Sequence, residues 1–238
     1  MGFDMLEIFQ SNYSSLFDAL LVTMKVTVSS LILGSIIGLV FAFFSLSNIK
    51  FLNLIAQGYL ILVRGTPMIV QICILYFGIS SILTLPQFWA GVIALSVHNG
   101  AYISEIFRGA IQSIDNGQME AARSLGMTYK LAMRRIILPQ AFKRAIPSLG
   151  NQFILLLKES ALVAYIGMTD LWGATMSIAG ANYRPLETYM VTGLYYLILV
   201  GIFTYIFHKL EAKYSPDTKK KVKATRAVGS KSTSVIEQ

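Results

Sequence analysis

Charged residues punctuate this chain unevenly, and the gaps between them show where it meets an apolar environment. No charge falls between Val26 and Ile49, where the chain reads VTVSSLILGSIIGLVFAFFSLSNI. A membrane-crossing helix needs roughly 20 consecutive, mostly apolar residues. This run therefore predicts one crossing, entered through a segment that begins near Leu16. A second uncharged stretch, Gly65 to Ser104, is long enough for two crossings, and Pro86 within TLPQFW marks the turn between them. Tyr76 and Trp89 are the amphipathic aromatic residues that suit a headgroup zone. Thr188 to His208 is a further clean run. Between Arg144 and Lys158 the apolar stretch is too short alone. It reaches the required length only by continuing through Lys158–Glu159 to about Thr169, with two charges inside. The pattern predicts an all-α, polytopic membrane protein of about five transmembrane helices.

Composition supports that reading. The 238 residues are 55% hydrophobic and 13% charged, about half the charge of an average soluble domain, which is too little to cover a globular surface. Disorder is excluded for the body of the chain, because disordered segments are charge-rich and poor in apolar residues. The first charges, Asp4, Glu7 and Asp18, are acidic, so the start does not resemble a secretory signal peptide. Placing the N-terminus outside and the C-terminus in the cytoplasm leaves only Lys25, Lys158 and Arg184 of the 20 basic residues off the inner side. That is the orientation the positive-inside rule selects. The net charge of +8 is thus a topology signal and not a nucleic-acid footprint. Three regions follow: an extracellular segment 1–15, a transmembrane domain 16–210, and a basic cytoplasmic tail 211–238 with the composition of a disordered end. Cys73 stands alone, so neither an internal disulfide nor a cysteine metal pattern is available.

The long inner loop, Ile111 to Phe142, is patterned. Asp115 followed by Gln118 reads as a capping-box start, with a short helix from Gly117 to Leu125 ended by Gly126 in the left-handed conformation. Thr128 caps a second short helix, which Pro139 is expected to stop. Leu131, Ile136 and Leu138 are expected on its lipid side and Lys130, Arg134 and Arg135 on its wet side. The small residues Ala121 and Ala122 beside Glu120 permit close approach of another surface. An interfacial helix lying on headgroups and a docking knob for a cytoplasmic partner both fit these residues.

The spacing decides between them. Glu120-Ala121-Ala122, then Gly126, Ile136 and Leu138-Pro139 at set offsets, resembles the EAA loop (about 113–139) of the membrane subunits of binding-protein-dependent ABC importers. Arg64-Gly65-Thr66-Pro67 with Ile69-Val70-Gln71 resembles the RGTPxxVQ signature of the polar amino-acid permeases in that family. Gly100-Ala101-Tyr102, Glu105-Ile106, Arg108 to Ile111, Gly117-Gln118, Asn151 and Leu155 to Lys158 match the same group. The resemblance extends from about Leu16 to His208. It implies a type I ABC importer (MetI-like) transmembrane domain that acts as the permease subunit for polar or charged amino acids. It implies as partners a dimer of ABC ATPase subunits, a second permease copy or paralogue, an extracellular solute-binding protein, and the lipids of the cell membrane. ATP and Mg would be bound by the ATPase. Gly117, Glu120, Ala121, Ala122, Gly126, Ile136, Leu138 and Pro139 would couple the permease to it. The chain departs from the family at Lys158-Glu159-Ser160-Ala161, where Lys-Asp-Thr-Ser or Lys-Asp-Ser-Ser is common, so substrate specificity does not carry over.

The residues agree with this division of labour. No GxxxxGK[ST] loop is present to hold nucleotide phosphates, and neither an HExxH nor a Gly-x-Ser-x-Gly elbow offers an intramembrane enzyme. Two alternatives remain at this point: a permease of the same class for another small solute, and a channel or secondary transporter without an ATPase. The absence of a visible internal repeat disfavours the second, and it leaves the EAA loop unexplained.

Polar groups at membrane depth are costly and point to function. The substrate-pathway candidates are Thr66, Pro67, Gln71, Asn99, Asn151, Lys158 and Glu159. Lys158 and Glu159 are adjacent, hence about 100° apart on a helix, and do not satisfy each other. One must face a cavity or a partner, and Glu159 is the candidate for a substrate's amino or cationic group. Pro67 frees a carbonyl one turn back, and irregular backbone at depth is tolerated where it lines a cavity. Equally, RGTP serves to turn an interfacial helix, Phe51 to Val63, into the second crossing, with Arg64 as an interfacial anchor. Glu105 and Arg108 are placed to pair. His98, Asn99 and Asn151 are assigned interhelical hydrogen bonds in preference to transport, and Gly34 and Gly38 a close helix contact.

Overall fold

In the computed structural model, residues 5–214 are described, and every regular element among them is helical. Nine α-helices are distinguished in this region: α1 Met5–Ser45, α2 Lys50–Arg64, α3 Met68–Cys73, α4 Gln87–Gln112, α5 Asn116–Ser124, α6 Tyr129–Ala132, α7 Leu138–Glu159, α8 Leu171–Asn182 and α9 Pro185–Tyr214. Two π-turns, Ile74–Gly78 and Met133–Ile137, and a 3₁₀ segment, Ser160–Ile166, extend them. The basic tail from residue 215 lies outside the described residues. Residues 211–214, assigned above to that tail, are the last turn of α9. Residues 5–15, read above as a separate segment, are the first turns of α1.

The fold is built on the α1–α4 seam. The two helices run parallel, with Ser30 beside Val92, Gly34 beside Ser96 and Gly38 beside Gly100. Ser96 donates to the Ser30 carbonyl at 3.3 Å, and Ser30 donates to Val92 at 3.4 Å. The expected small-residue contact is therefore real. A Cβ on Gly38 would stand 2.7 Å from Ile103 Cγ2 and 3.0 Å from the Gly100 carbonyl. Around this seam Val26, Ile72, Leu95, Leu156 and Val163 form one apolar cluster, while Ala42, Ile103, Phe107, Ile137 and Ala141 form another.

Among the described residues, three helical stretches have the length and apolarity to cross a bilayer: α1, the continuous rod Tyr129–Ile166, and α9. A fourth arises if α2 and α3, bent by 102° at Arg64–Met68, are taken as one. α4 has 26 residues, but its middle carries Ser96, His98 and Asn99, all buried. At the far ends of α1 and α9, α8 closes the molecule. Asp170, fully buried, caps α8 by accepting from the Gly173 amide at 3.0 Å, and Thr23 of α1 accepts from the Leu171 amide at 2.9 Å.

Pro139 does not stop a helix. The chain passes through the π-turn Met133–Ile137, whose closing bond runs from Leu138 N–H to the Met133 carbonyl, and Pro139 falls in the first turn of α7. A π-turn already interrupts the i→i−4 ladder, so the missing proline N–H costs little at this position. The second short helix of the loop and the fourth crossing are one rod.

Candidate functional site

Two constellations stand at different levels of the molecule. The first is the loop helix α5. Asp115 caps it by accepting from the Gly117 amide at 2.7 Å. The reciprocal half of a capping box is absent, because the Gln118 side chain accepts instead from Gln140 of α7 at 3.3 Å. At the other end, Gly126 takes φ +82°. Its N–H reaches Arg123, and that of Met127 reaches Ala122, the paired bonds of a Schellman cap. The motif residues then divide. Gly117, Glu120, Ala121 and Gly126 are exposed, and beside them Leu125 is 83% and Tyr129 60% exposed. Ala122 is 1% exposed and faces inward. Ile136 and Leu138, expected on the lipid side, are half-buried against Ile114, Ile137 and Ala141, while Pro139 remains exposed. The inward residues pin the helix and the outward ones present it. Arg144 of α7 fastens the exit of α4 by donating to the Ser113 carbonyl and, at 3.2 Å, to its hydroxyl. A guanidinium at a helix C-terminus also complements the dipole.

The second constellation lies in the interior, where α3, α4 and α7 meet. Pro67 has no N–H to give the Val63 carbonyl, and the Gln71 side chain supplies one. Its Nε2 donates to Val63 O at 2.8 Å, to Thr66 Oγ1 at 2.7 Å and to Thr66 O at 3.2 Å. The carbonyl that Pro67 frees is thus already taken, and the bend is held by a side chain. This clasp edges a cavity of ≈ 340 Å³ whose other walls include Leu62, Leu75, Ala94 and Val97. On its far side, Gln71 Oε1 meets His98 Nδ1 at 3.1 Å. Asn99, the next residue on α4, is fully buried and donates to Glu159 Oε2 at 3.3 Å. Gln152 of α7 donates in turn to Asn99 Oδ1.

Of the pathway candidates, Thr66, Pro67, Gln71, Asn99 and Glu159 are therefore brought together. Lys158 and Asn151 are not. Lys158 is exposed on another face of α7 and makes no hydrogen bond or ion pair among the described residues. Asn151 turns toward α9, in a pocket of ≈ 170 Å³ with Phe207, His208 and Glu211. Gln152 was missed, although it lies seven residues before Glu159 and hence on the same face. Glu159 is half-buried and has no cationic partner among the described residues. Lower on α4, Arg108 donates to both oxygens of Glu105, from Nε at 2.8 Å and Nη2 at 2.9 Å, as the spacing predicts. Arg64 lies over the Tyr102 ring at 5.4 Å, an anchor one turn of α4 below His98.

Known proteins carry the same architecture. Residues 5–213 match the family described as the binding-protein-dependent transport system inner membrane component. The chain is 41% identical over 198 residues to the arginine transport system permease protein ArtQ of Bacillus subtilis, covering 82% of this chain and 90% of that one. It is 37% identical to a putative glutamine transport system permease protein, GlnP, of Rickettsia typhi, covering 81% and 89%. A crystal structure of an amino acid ABC transporter with histidines superposes with a TM-score of 0.83 at 39% identity, over 90% of this chain and all of that one. The methionine transporter MetNI in an inward-facing form shares the fold, with a TM-score of 0.75 at 20% identity over 86% and 98%. Together with the capped loop helix and the apolar rods, these matches identify the chain as a member of the binding-protein-dependent transport inner-membrane family, an integral membrane permease of the ABC importer type.

Proposed function

We propose that this permease carries polar amino acids with a cationic group, and that Glu159 receives the positive charge. The observation that carries the reading is a half-buried carboxylate with one amide donor, Asn99, and no cation beside it among the described residues. A carboxylate at membrane depth needs a counter-charge, and a cationic substrate supplies one. The relatives named for arginine and glutamine transport support the broader class. Asn99, Gln152 and the Gln71–Thr66 clasp then form the polar lining of the path. In this reading the chain crosses the cell membrane five times, by α1, the bent α2–α3 pair with its π-turn, α4, the 129–166 rod and α9. The basic residues, gathered on the inner side, leave the N-terminus outside and α5 in the cytoplasm.

There α5 docks on an ABC ATPase, which binds ATP and Mg. A second permease copy or paralogue completes the path, and an extracellular solute-binding protein delivers the substrate. The test uses the complete complex in proteoliposomes. Glu159→Gln raises KM for arginine by about ten- to a hundredfold, the value of a hydrogen-bonded charge, and leaves glutamine uptake unchanged. An unaltered arginine KM in this variant sinks the reading.

A further inference from the structure

His98 and Asn99 are consecutive on α4, so their side chains diverge by about 100°. One reaches the α2–α3 bend and the other reaches Glu159. The hydrogen-bond polarity on the His98 side is fixed by simple exclusion. The Val63 carbonyl can only accept, so the Gln71 amide nitrogen must face it and Oε1 must face His98. His98 Nδ1 therefore carries a proton and donates to Gln71. The bend itself has no continuous backbone ladder. Pro67 interrupts it, and three contacts from Gln71 replace it. The ring of His98 packs against Tyr102 with centroids 5.4 Å apart, and Tyr102 carries Arg64, the last residue of α2. His98 thus touches the bend from both of its arms, through Gln71 on α3 and through Tyr102 and Arg64 on α2. The Glu159 carboxylate lies within electrostatic reach of the same ring.

We propose that His98 is a positioning residue of the transport cycle, which ties the α2–α3 bend to α4 so that a movement of Asn99 with Glu159 is transmitted to the bend. The link to substrate rests on the reading of Glu159 given above, whereas the link to the bend rests on hydrogen-bond geometry alone. An asparagine in place of His98 keeps a donor at the position of Nδ1, and a leucine keeps the volume without it.

Two measurements on the reconstituted complex test the assignment. In transport, His98→Leu lowers the maximal rate about three- to tenfold, the value of one hydrogen bond, with KM unchanged, and His98→Asn restores the rate. In a Cys73→Ser background, spin labels at the exposed positions Ile61 on α2 and Phe77 beyond α3 report the bend by pulsed electron paramagnetic resonance. The distance distribution is narrow in the parent and in His98→Asn and broad in His98→Leu. A narrow distribution in His98→Leu overturns the proposal, as does an asparagine variant that is as slow as the leucine one. A broad bend and slow transport in His98→Leu, found together with an unaltered KM in Glu159→Gln, support the tie while overturning the substrate role of Glu159.

Discussion

Gly38→Ala adds one methyl group to the tightest point of the α1–α4 seam. The new Cβ would lie 2.7 and 2.8 Å from Ile103 Cγ2 and Cβ, and 3.0 Å from the Gly100 carbonyl. None of these neighbours retreats easily. Ile103 is β-branched and stiff at χ1, it is fully buried, and the carbonyl belongs to the backbone of α4. The helices must therefore separate, and overpacking of this kind costs about 1–3 kcal/mol. Gly201→Ala provides the control, since nothing stands within 4 Å of its Cβ position. Both substitutions gain the same helix propensity, about 1 kcal/mol, so the difference between them isolates the seam. That difference corresponds to roughly 5- to 150-fold in the unfolding equilibrium. Unfolding of the purified permease in mixed micelles, followed by far-UV circular dichroism, gives the comparison directly. Equal midpoints for the two variants would show that α1 and α4 do not meet at Gly38 as described.

The α5 loop, proposed above to dock on an ATPase, and the α8 cap supply two further tests. Ala121→Asp leaves the fold intact and abolishes co-purification of the ATPase, whereas Ala122→Asp, at a position 1% exposed, buries a charge and unfolds the loop, as limited proteolysis within Ile111–Phe142 would report. Normal ATPase retention by Ala121→Asp would remove the docking role of α5. Burial pushes the Asp170 carboxyl up from 3.8 to about 6. A raised carboxylate pKa makes the folded state bind its proton more tightly, so this contribution is complete below about pH 4, declines as pH rises to about 6, and is absent above. The shift amounts to about 3 kcal/mol. Asp170→Asn retains a capping oxygen and flattens the stability profile between pH 4 and 6, and a profile that stays steep in this variant would exclude Asp170 as its source.

The features legible in the sequence are those that depend on neighbours along the chain. The Asp115 cap, the Gly126 stop, the Thr128 cap and the Glu105–Arg108 pair all join residues at most a turn or two apart, where helix geometry alone decides the outcome. Pro139 misled for a definite reason: proline excludes the regular α-ladder, yet a π-turn satisfies the same restriction without ending the helix, and no residue type announces a π-turn. The pathway candidates were half legible. Glu159 and Asn99 stand out because polar groups are rare in apolar runs, but which of them meet is decided across helices. Thus Asn151 and Lys158 share the segment of Glu159 and face elsewhere, and Gln152, adjacent to Asn151, reaches Asn99. Gln71 shows the same limit. Its position one turn above Pro67 identified both groups, while the fact that one satisfies what the other leaves open appears only once the chain has bent by 102°.

The π-turn at Met133–Ile137 also sets angular phase. It takes up one more residue than the α-turn it replaces, and successive helical residues are about 100° apart. Wound as uninterrupted α-helix from Tyr129, the rod would carry Glu159 about 100° away from Asn99. The bulge thus aims a carboxylate that lies many turns further along. Loss of one residue within Met133–Ile137 lets the rod relax to plain α-helix with Glu159 still on Asn99. The same loss beyond Leu138 leaves the bulge in place and swings Glu159 off the interior face. In this chain the register of the α5–α6 loop and the direction of the Glu159 carboxylate are one quantity, fixed at a single turn.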